Sequence, residues 1–516
     1  MPVTNDETWY NTLLDDMKMK LRIALVAIAL CATVVAAFAR QPKREFRGAW
    51  LHTIYQEQYS RQSTLDNQIY LCTLLDKLRH AGCNVVIFQV RPQSDAFYES
   101  DIEPWSRHLT GKAGQAPWPK WDPLQFMVEQ AHARGMELHA WLNPYRVTAS
   151  AKDLPPKGHV YYKHPERFVK YAGKIYFDPA YKENRDYITR VVKDIVSRYD
   201  IDAIHLDDYF YPYPVDGKPF PDNASYKKFG KGMERGDWRR QNVDRLIEQL
   251  HEAINDTKPW VRFGISPFGI WRNKASDADG SDTNGLQNYD DLYADVTLWA
   301  RRGWVDYLIP QLYWELEHKA ASVLVLSQWW NDHSNGRHVY LGQSVKVTMD
   351  KPDVGGSNDK NQLGHKIALS RELPDVQGNC WWPGYLVTDN YKGVADLLAD
   401  RYQSTVALVP SYPWLDDKLP DEVRQLKVEC GDGEVALRWK APNTHDKMQQ
   451  ARAFVVYRFD RDEDIDLDNA AAIRAVTYEP QYIEAVAKGR YTYVVTVLDR
   501  ANNESPEGAK IKVNCK

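Results

Sequence analysis

The sequence predicts an α/β protein: a (β/α)8 TIM-type barrel with long loops on its catalytic face, followed by a small all-β sandwich. Three observations carry this. Between Phe46 and about Arg401, short apolar runs alternate with longer amphipathic segments eight times, the pattern of a parallel sheet closed on itself. Segments that follow strands are long, polar and aromatic, as in 91–121, 143–183, 207–236 and 266–288, while those leading from helix to next strand are brief. From about Pro420 the texture changes to short strands separated by turn residues, as in a two-sheet sandwich. A chain of 516 residues exceeds one ordinary core, which agrees with a large domain and a smaller one.

In chain order the expected barrel strands are 46–52, 84–90, 137–142, 203–206, 261–265, 307–309, 339–341 and 379–382. Helical patterns lie between them at 65–80, 123–134, 184–199, 238–255 and 290–302. Ala81-Gly82, Arg134-Gly135 and Arg302-Gly303 mark helix ends where glycine supplies a left-handed cap. The boundaries read as a signal segment 1–39, a barrel 40–404, a linker 405–420 and a sandwich 421–516. Within the sandwich the strands expected are 433–439, 453–459, 490–499 and 509–513.

The N-terminus reads as an export signal. Lys18, Lys20 and Arg22 precede an apolar run that ends in Ala37-Phe38-Ala39, an A-x-A cleavage signature. The run is shorter than the roughly 20 residues of a membrane span. Cleavage after Ala39 is expected, and with it a periplasmic or envelope location. An uncleaved anchor is the alternative, and Cys31 is a lipid-attachment candidate weakened by bulky Leu30. Beyond Cys31 stand Cys72, Cys83, Cys380, Cys430 and Cys515, an odd number that argues against a full disulfide framework. Cys430 and Cys515 bracket the sandwich and could pair. Cys72 and Cys83 are expected buried in a helix and a strand.

The formal charge of −4 is small for the length and no basic patch stands out, which excludes nucleic acid as the expected partner. The 18 tryptophans and 31 tyrosines, many beside turn residues, offer flat apolar faces with a polar tip, a surface suited to sugar rings. No C-x-x-C, H-E-x-x-H or H-x-H spacing occurs, so no metal and no cofactor are expected. "SDADGSDTNG", 276–285, lacks the distal Glu of a calcium loop and reads as solvated or substrate-facing.

The chemistry converges on "IDAIHLDDYFYP", 201–212, where a buried strand runs straight into two carboxylates. At the carboxyl end of the fourth barrel strand, such residues face the catalytic rim. Cleavage of a glycosidic bond needs two carboxyl groups. Asp207, in phase with His205, is expected to point inward as nucleophile or transition-state stabiliser. Glu315 in "YLIPQLYWE" is the expected general acid, with Trp314 and Leu316 desolvating it. Asp208 is the alternative for either role. Asp95 is a further acid near the rim. The aromatic wall is expected from Trp50, Trp141, Tyr209, Trp271, Tyr313, Trp314 and Trp382. Arg47, Gln89, Arg91, His139, Asn143, His205 and Gln311 are polar groups near strand ends that could bind substrate.

"EFRGAWLHT", "NVVIFQVRPQSDAFYES", "LHAWLNPYRV", "IHLDDYFYP", "GISPFGIWRN" and "VDYLIPQLYWE" together resemble the tenth glycosyl-hydrolase-like family of bacterial barrels, over about residues 44–400. The resemblance implies an exported glycoside hydrolase acting on peptidoglycan glycan strands, particularly those stripped of stem peptides. It also implies a nucleophile after strand four, with an acid after strand six in some distant relatives and after strand five in others. The first fits Asp207 with Glu315, and "GISPFGIW" has no carboxylate for the second. The C-terminal segment resembles a fibronectin type III module through "EVALRWKAP", "FVVYRF" and "GRYTYVVTVLDRANNESP".

The expected activity is hydrolysis of O-glycosyl bonds in amino-sugar polymers, with retention of configuration. Two competitors stand beside it. A non-catalytic glycan-binding barrel would use the same aromatics. A deacetylase would need a metal-ligand cluster, which the sequence does not display.

Overall fold

Phe46–Leu51 (β1) forms where the apolar run predicts it, and in the computed structural model it is buried along its whole length. The structure describes residues 41–516 except 151, 358, 432, 461, 462 and 516. The expected signal segment, its cleavage point and Cys31 lie outside the described residues. Val85–Arg91 (β2), Glu137–Leu142 (β3), Ala203–Leu206 (β4), Arg262–Ile265 (β5), Tyr307–Leu308 (β6), His338–Ser344 (β7) and Val376–Trp382 (β8) follow. They pair in parallel in sequence order, and β8 returns to β1 with Phe46 beside Gly378 and Arg47 beside Asn379. This closed (β/α)8 barrel is the fold class the alternating runs predict.

The outer layer is Thr64–His80 (α1), Pro123–His132 (α2), Lys182–Arg198 (α3), Arg235–Thr257 (α4), Val296–Arg301 (α5), Val323–Asp332 (α6), Leu363–Glu372 (α7) and Val394–Leu397 (α8). Local chemistry sets the ends. Ser63 caps α1 by accepting the Asp66 amide at 3.1 Å, and Asp122 caps α2 with Pro123 in the first turn. Gly82, Gly135 and Gly303 all adopt positive φ. The helix expected at 290–302 is instead two pieces, Asn288–Asp291 and α5. Tyr293 takes a φ of 55° between them, and Asp295 starts the second by accepting the Leu298 amide at 3.2 Å.

Gly264 on β5 shows why a strand position must stay bare. A Cβ there would lie 1.9 Å from the Tyr307 ring, so the glycine lets Tyr307 fill the barrel axis. Tyr307 in turn accepts or donates to His139 Nδ1 at 2.8 Å and His205 Nδ1 at 3.2 Å.

The C-terminal strands are Arg424–Gly431 (β9), Glu434–Lys440 (β10), Ala453–Asp460 (β11), Ile473–Thr477 (β12), Gln481–Ala485 (β13), Gly489–Leu498 (β14) and Ala509–Cys515 (β15). They form two antiparallel sheets, ordered β9-β10-β13 and β12-β11-β14-β15. Val435, Leu437 and Trp439 of one sheet share a core with Phe454, Val456, Tyr493 and Val495 of the other. A disulfide joins Cys430 to Cys515 across 85 residues of chain. Cys72 is half-buried on α1, and Cys83 is buried in the turn ahead of β2 rather than within the strand.

The central strands of the four-stranded sheet, β11 and most of β14, are buried on both faces. Ala453, Val455 and Tyr457 pack with Leu408 on the side away from the sandwich core, which is why β11 lacks the simple alternation of a half-exposed strand. The segment around Tyr412 is packed rather than free. Tyr412 is fully buried, its hydroxyl 2.8 Å from that of Tyr340, and Trp414 Nε1 donates to Asp306 at 2.8 Å. It closes the amino-terminal floor of the barrel. There Arg452 of the sandwich donates to Asp202 Oδ1 at 2.5 Å and to Asp200 Oδ2 at 2.6 Å. Asn502 donates to Glu137 Oε1 at 2.9 Å. Lys43–Lys516 therefore form one compact unit.

Candidate active site

At the carboxyl ends of the strands a cavity of about 290 Å³ is lined by residues from several strand-to-helix loops. Asp207 and Asp208, which follow β4 directly, are its carboxyl groups. Trp50, Trp141, Tyr209, Tyr313 and Trp382 supply aromatic wall. Trp382 stands edge-on to Trp50 and to Trp141, with centroids 6.5 and 6.0 Å apart.

A network built from three strand ends holds Asp207. Gln89 Nε2 and Arg146 Nη2 both donate to Asn143 Oδ1, each at 3.0 Å. Two donors on that oxygen fix the amide's orientation and turn Asn143 Nδ2 toward Asp207 Oδ2, at 3.1 Å. Gln311 Nε2 donates to the other oxygen at 3.2 Å and to the Ser266 carbonyl at 3.1 Å. The Asp208 amide adds a third donor, 2.9 Å from Asp207 Oδ1. A register shift between Gln89 and Arg91 where β2 meets β3 is the kind of bulge that re-aims side chains beside a site.

Asp208 lives differently. It is buried, and its nearest donor is the Tyr213 hydroxyl, which bonds Oδ2. Burial, and then the charge of Asp207 beside it, push its carboxyl well above the usual carboxylate range, and the Tyr213 bond opposes them. A raised acid beside a carboxyl held by amide donors is an arrangement suited to acid catalysis in one site. Asp208 lines the cavity beside Asp207 and does not turn to the outer loops, the expected consequence of strand alternation, because the chain leaves β4 at Leu206.

Of the other residues expected from sequence, Trp50, Gln89, Trp141, Tyr209, Gln311, Tyr313 and Trp382 line the cavity, and Asn143 lies directly behind Asp207. The rest lie elsewhere. Glu315 is not a lining residue. It pairs with Lys351 Nζ at 3.0 Å, and its charge acts on Lys366, whose amine burial lowers to about 7. Trp314 packs edge-on to Phe268 at 5.5 Å, and Trp271 stacks on Trp329 at 5.7 Å. Arg47, early in β1, bonds Glu45 and the Thr405 carbonyl near the floor. Arg91 is locked to Glu103 and to the carbonyls of Asn143 and Pro144. Asp95 bonds Gln93 within its own loop, where burial pushes its carboxyl up to about 6.

His139 and His205 belong to the barrel interior. His139 bonds Glu137 at 3.0 Å and Tyr307, and His205 Nε2 accepts from Trp50 Nε1 at 3.2 Å. Burial, and then the neighbouring His139, hold His205 well below the ordinary imidazole range, so it is a neutral core group.

Six lining residues escape sequence reasoning: His52, Ile54, Tyr55, Arg146, Tyr213 and Ser266. His52 and Ser266 follow β1 and β5 directly, so the strand-end rule that selects Asp207 applies to them too. Tyr55, Arg146 and Tyr213 sit deeper in loops without periodicity. Arg146 is the one lysine or arginine lining the cavity, and it forms no ion pair among the described residues. It donates through Nε to the Pro92 carbonyl at 2.8 Å and lies 5.0 Å over the Tyr209 ring.

A model of the family described as Glycosyl hydrolase-like 10 matches residues 45–353. The chain is similar to glycosyl hydrolase YngK of Bacillus subtilis (strain 168), 38% identical over 479 residues, spanning 90% of this chain and 92% of that one. It is similar also to glycosyl hydrolase DigH of Escherichia coli (strain K12), 35% identical over 369 residues, 66% of this chain and 83% of that one. Among solved structures, an endo-β-1,4-mannanase from Thermotoga petrophila aligns weakly over 92% of this chain and 98% of its own, at 11% identity and a TM-score of 0.41.

Proposed function

The chain belongs to the glycosyl hydrolase-like 10 family, and from that premise we propose that it is an exported hydrolase of amino-sugar polymers, foremost peptidoglycan glycan strands stripped of stem peptides. Its reaction class is glycoside hydrolysis and its substrate class carbohydrate. The observation that carries the finer reading is the Asp207–Asp208 pair in an aromatic-walled cavity, one acid fixed by amide donors and the other raised by burial and its neighbour's charge.

In this reading Asp208 is the general acid. Its carboxyl, raised by burial and by the Asp207 charge, delivers its proton to the oxygen that leaves with the aglycone. Asp207 is already turned by Asn143 and Gln311 toward the cavity. It faces the anomeric carbon as nucleophile: its oxygen bonds that carbon as the protonated aglycone leaves, and water later breaks the bond with Asp208 as base, so that configuration is retained. Glu315, tied to Lys351 outside the cavity, takes no part.

One observation favours a second version of the same chemistry. The cavity's two carboxyl groups are chain neighbours, and no third stands among its lining residues. An acetamido oxygen of the sugar itself would then be the nucleophile, oriented by Asp207, as in substrate-assisted glycosidases. Retention follows in both versions.

Arg146 supports the stripped strand as substrate. A muramyl residue without its stem peptide carries a free lactyl carboxylate, and Arg146 is a cation beside the reacting acids without an anionic partner among the described residues. The disulfide Cys430–Cys515 and the basic-then-apolar segment before Ala39 support export to an oxidising compartment. The seven-strand sandwich supports a fibronectin type III-like module that braces the barrel.

The test is release of reducing ends from sacculi with and without stem peptides, by wild type, Asp207→Asn and Asp208→Asn. Release from stripped strands by the wild type alone is expected. Capture of glycan by wild type with no release would instead favour a binding protein.

A further inference from the structure

A second cavity adjoins the catalytic one. It measures about 440 Å³ and is lined by the segment after β1 (Gln56, Glu57, Ser60, Arg61), by Arg107, His108 and Gly111 of the β2 loop, and by Ser150 and Asp153 of the β3 loop. Tyr55 lines both spaces, so its side chain forms their common wall. Both volumes are those of small-ligand sites.

Tyr55 is an odd residue for a bland surface. It is 65% exposed, although it is a large aromatic side chain at the mouth of a cavity. Its φ is +62°, a strained conformation for a bulky residue and one that clusters at ligand-binding positions. The surrounding structure maintains it: the hydroxyl donates to the Ala149 carbonyl at 3.3 Å and the ring stands edge-on to His108 at 6.1 Å. His108 is a neutral imidazole, lowered to about 4 first by burial and then by Arg107 and Arg146. Its Nε2 is buried without a hydrogen-bond partner among the described residues.

Around this ring the chamber is polar and its ions are already matched. Arg107 pairs with Asp153, and Arg61 with Glu57. Such a surface suits a neutral polyhydroxylated ligand better than an anion. An aromatic face held out of the core, flanked by hydroxyl and amide groups, is the chemistry that stacks on a pyranose ring.

We propose that the cleft continues past Tyr55 into a distal saccharide subsite, so that the enzyme grips at least one further sugar unit of the same strand and favours long chains over short ones. This rests on the glycan reading of the catalytic cavity and deepens it.

The experiment uses peptidoglycan-derived glycan oligomers of graded length, with the full chain. Two readouts are compared among wild type, Tyr55→Ala and Ser60→Trp, the last filling the chamber from its far side. The first is the ratio of kcat/KM on long over short oligomers. The second is the ratio of affinities for the same oligomers, measured calorimetrically in an Asp208→Asn background that does not turn over. Wild type is expected to favour long oligomers, and both substitutions to shrink each ratio by about threefold or more, the scale of one lost stacking contact. Ratios untouched by both substitutions, in variants that keep the wild-type melting temperature, would overturn the distal subsite. If wild type hydrolyses nothing yet binds long oligomers better and loses that preference with Tyr55→Ala, hydrolysis is wrong and the subsite stands. If oligomers of every length neither bind nor react, both fall.

Discussion

The Tyr213 hydroxyl donates to Asp208 Oδ2 five residues back along the same loop. That single bond holds the acid's oxygen in place and stabilises its charged form against burial and the Asp207 charge, which both favour the neutral form. Tyr213→Phe removes the opposing influence, so the Asp208 proton becomes harder to lose. The alkaline limb of kcat/KM should move to higher pH while kcat falls, because a weaker acid transfers its proton less readily. A pH–rate profile with an unmoved alkaline limb would remove Asp208 from the acid role.

Asp208→Asn should abolish turnover and yet stabilise the fold near neutrality. The sign follows from linkage. Below about pH 4 the carboxyl is protonated in both folded and unfolded chains and contributes nothing to the difference. As pH rises, the unfolded chain releases its proton while the folded one keeps it, so native stability declines up to the raised folded value. Asparagine escapes that decline. The melting-temperature advantage of the variant should therefore grow from pH 4 to pH 7 by at least about 2 °C, as calorimetry at several pH values would record.

Arg146→Gln should reduce kcat/KM on strands with free lactyl carboxylates by roughly 10–100-fold, the scale of a charge-assisted hydrogen bond. Because Arg146 also fixes Asn143 behind Asp207, part of any loss will fall on every substrate. The discriminating measurement is the ratio of activity on free-acid strands to that on strands with the carboxyl amidated. A ratio equal to the wild type's would leave Arg146 as a positioning residue only.

Arg452→Ala should destabilise the whole unit by about 3–5 kcal/mol, the cost of leaving a buried charge unpaired. Burial alone would raise the Asp202 carboxyl, but Arg452 and then His132 outweigh it and hold it well below the usual range. A depressed acid stabilises the fold at all pH values above about 4 and loses that contribution as pH falls through its folded value. Denaturant unfolding of the variant at pH 7 measures the effect directly, and the gap from wild type should narrow on acidification.

Gly264→Ala should yield little soluble protein, because the added methyl meets the Tyr307 ring at 1.9 Å in the packed barrel axis. Expression and circular dichroism beside Gly285→Ala would check it, since a Cβ at Gly285 meets only the Ile270 Cδ1 at 3.0 Å.

The barrel was legible because its strands are buried apolar runs bounded by capping glycines, and each expected strand overlaps an observed one. Asp207 and Asp208 were legible for the same reason, since they follow β4 without a gap. What failed was depth along a strand. His139 and His205 carry the same inward phase as cavity residues, yet they occupy lower layers where Glu137 and Tyr307 satisfy them, and Arg47, in the opposite phase to the inward Phe46 and Trp50, bonds Glu45 instead. A period of two reports which face a residue takes and says nothing of its height.

Glu315 failed for another reason. Four residues past Gln311 the chain has turned outward, and the lysine that captures Glu315 lies at position 351, a distance in sequence no local pattern spans. Tyr55 and Tyr213 are loop residues whose neighbours are set by tertiary contact. Strands β9 and β13 were missed because their exposed faces dilute the apolar signal, and β12 because it is only five residues long and half-buried at three of them.

The salt-linked floor has a practical corollary for anyone dividing this polypeptide into modules. Glu137 and Asp202 lean on Asn502 and Arg452 from the far end of the chain, and the Leu408 region is sandwiched between the two halves. A fragment truncated at the apparent hinge would carry orphaned acids and a bared apolar underside. The C-terminal portion is thus better regarded as the barrel's keel than as detachable cargo.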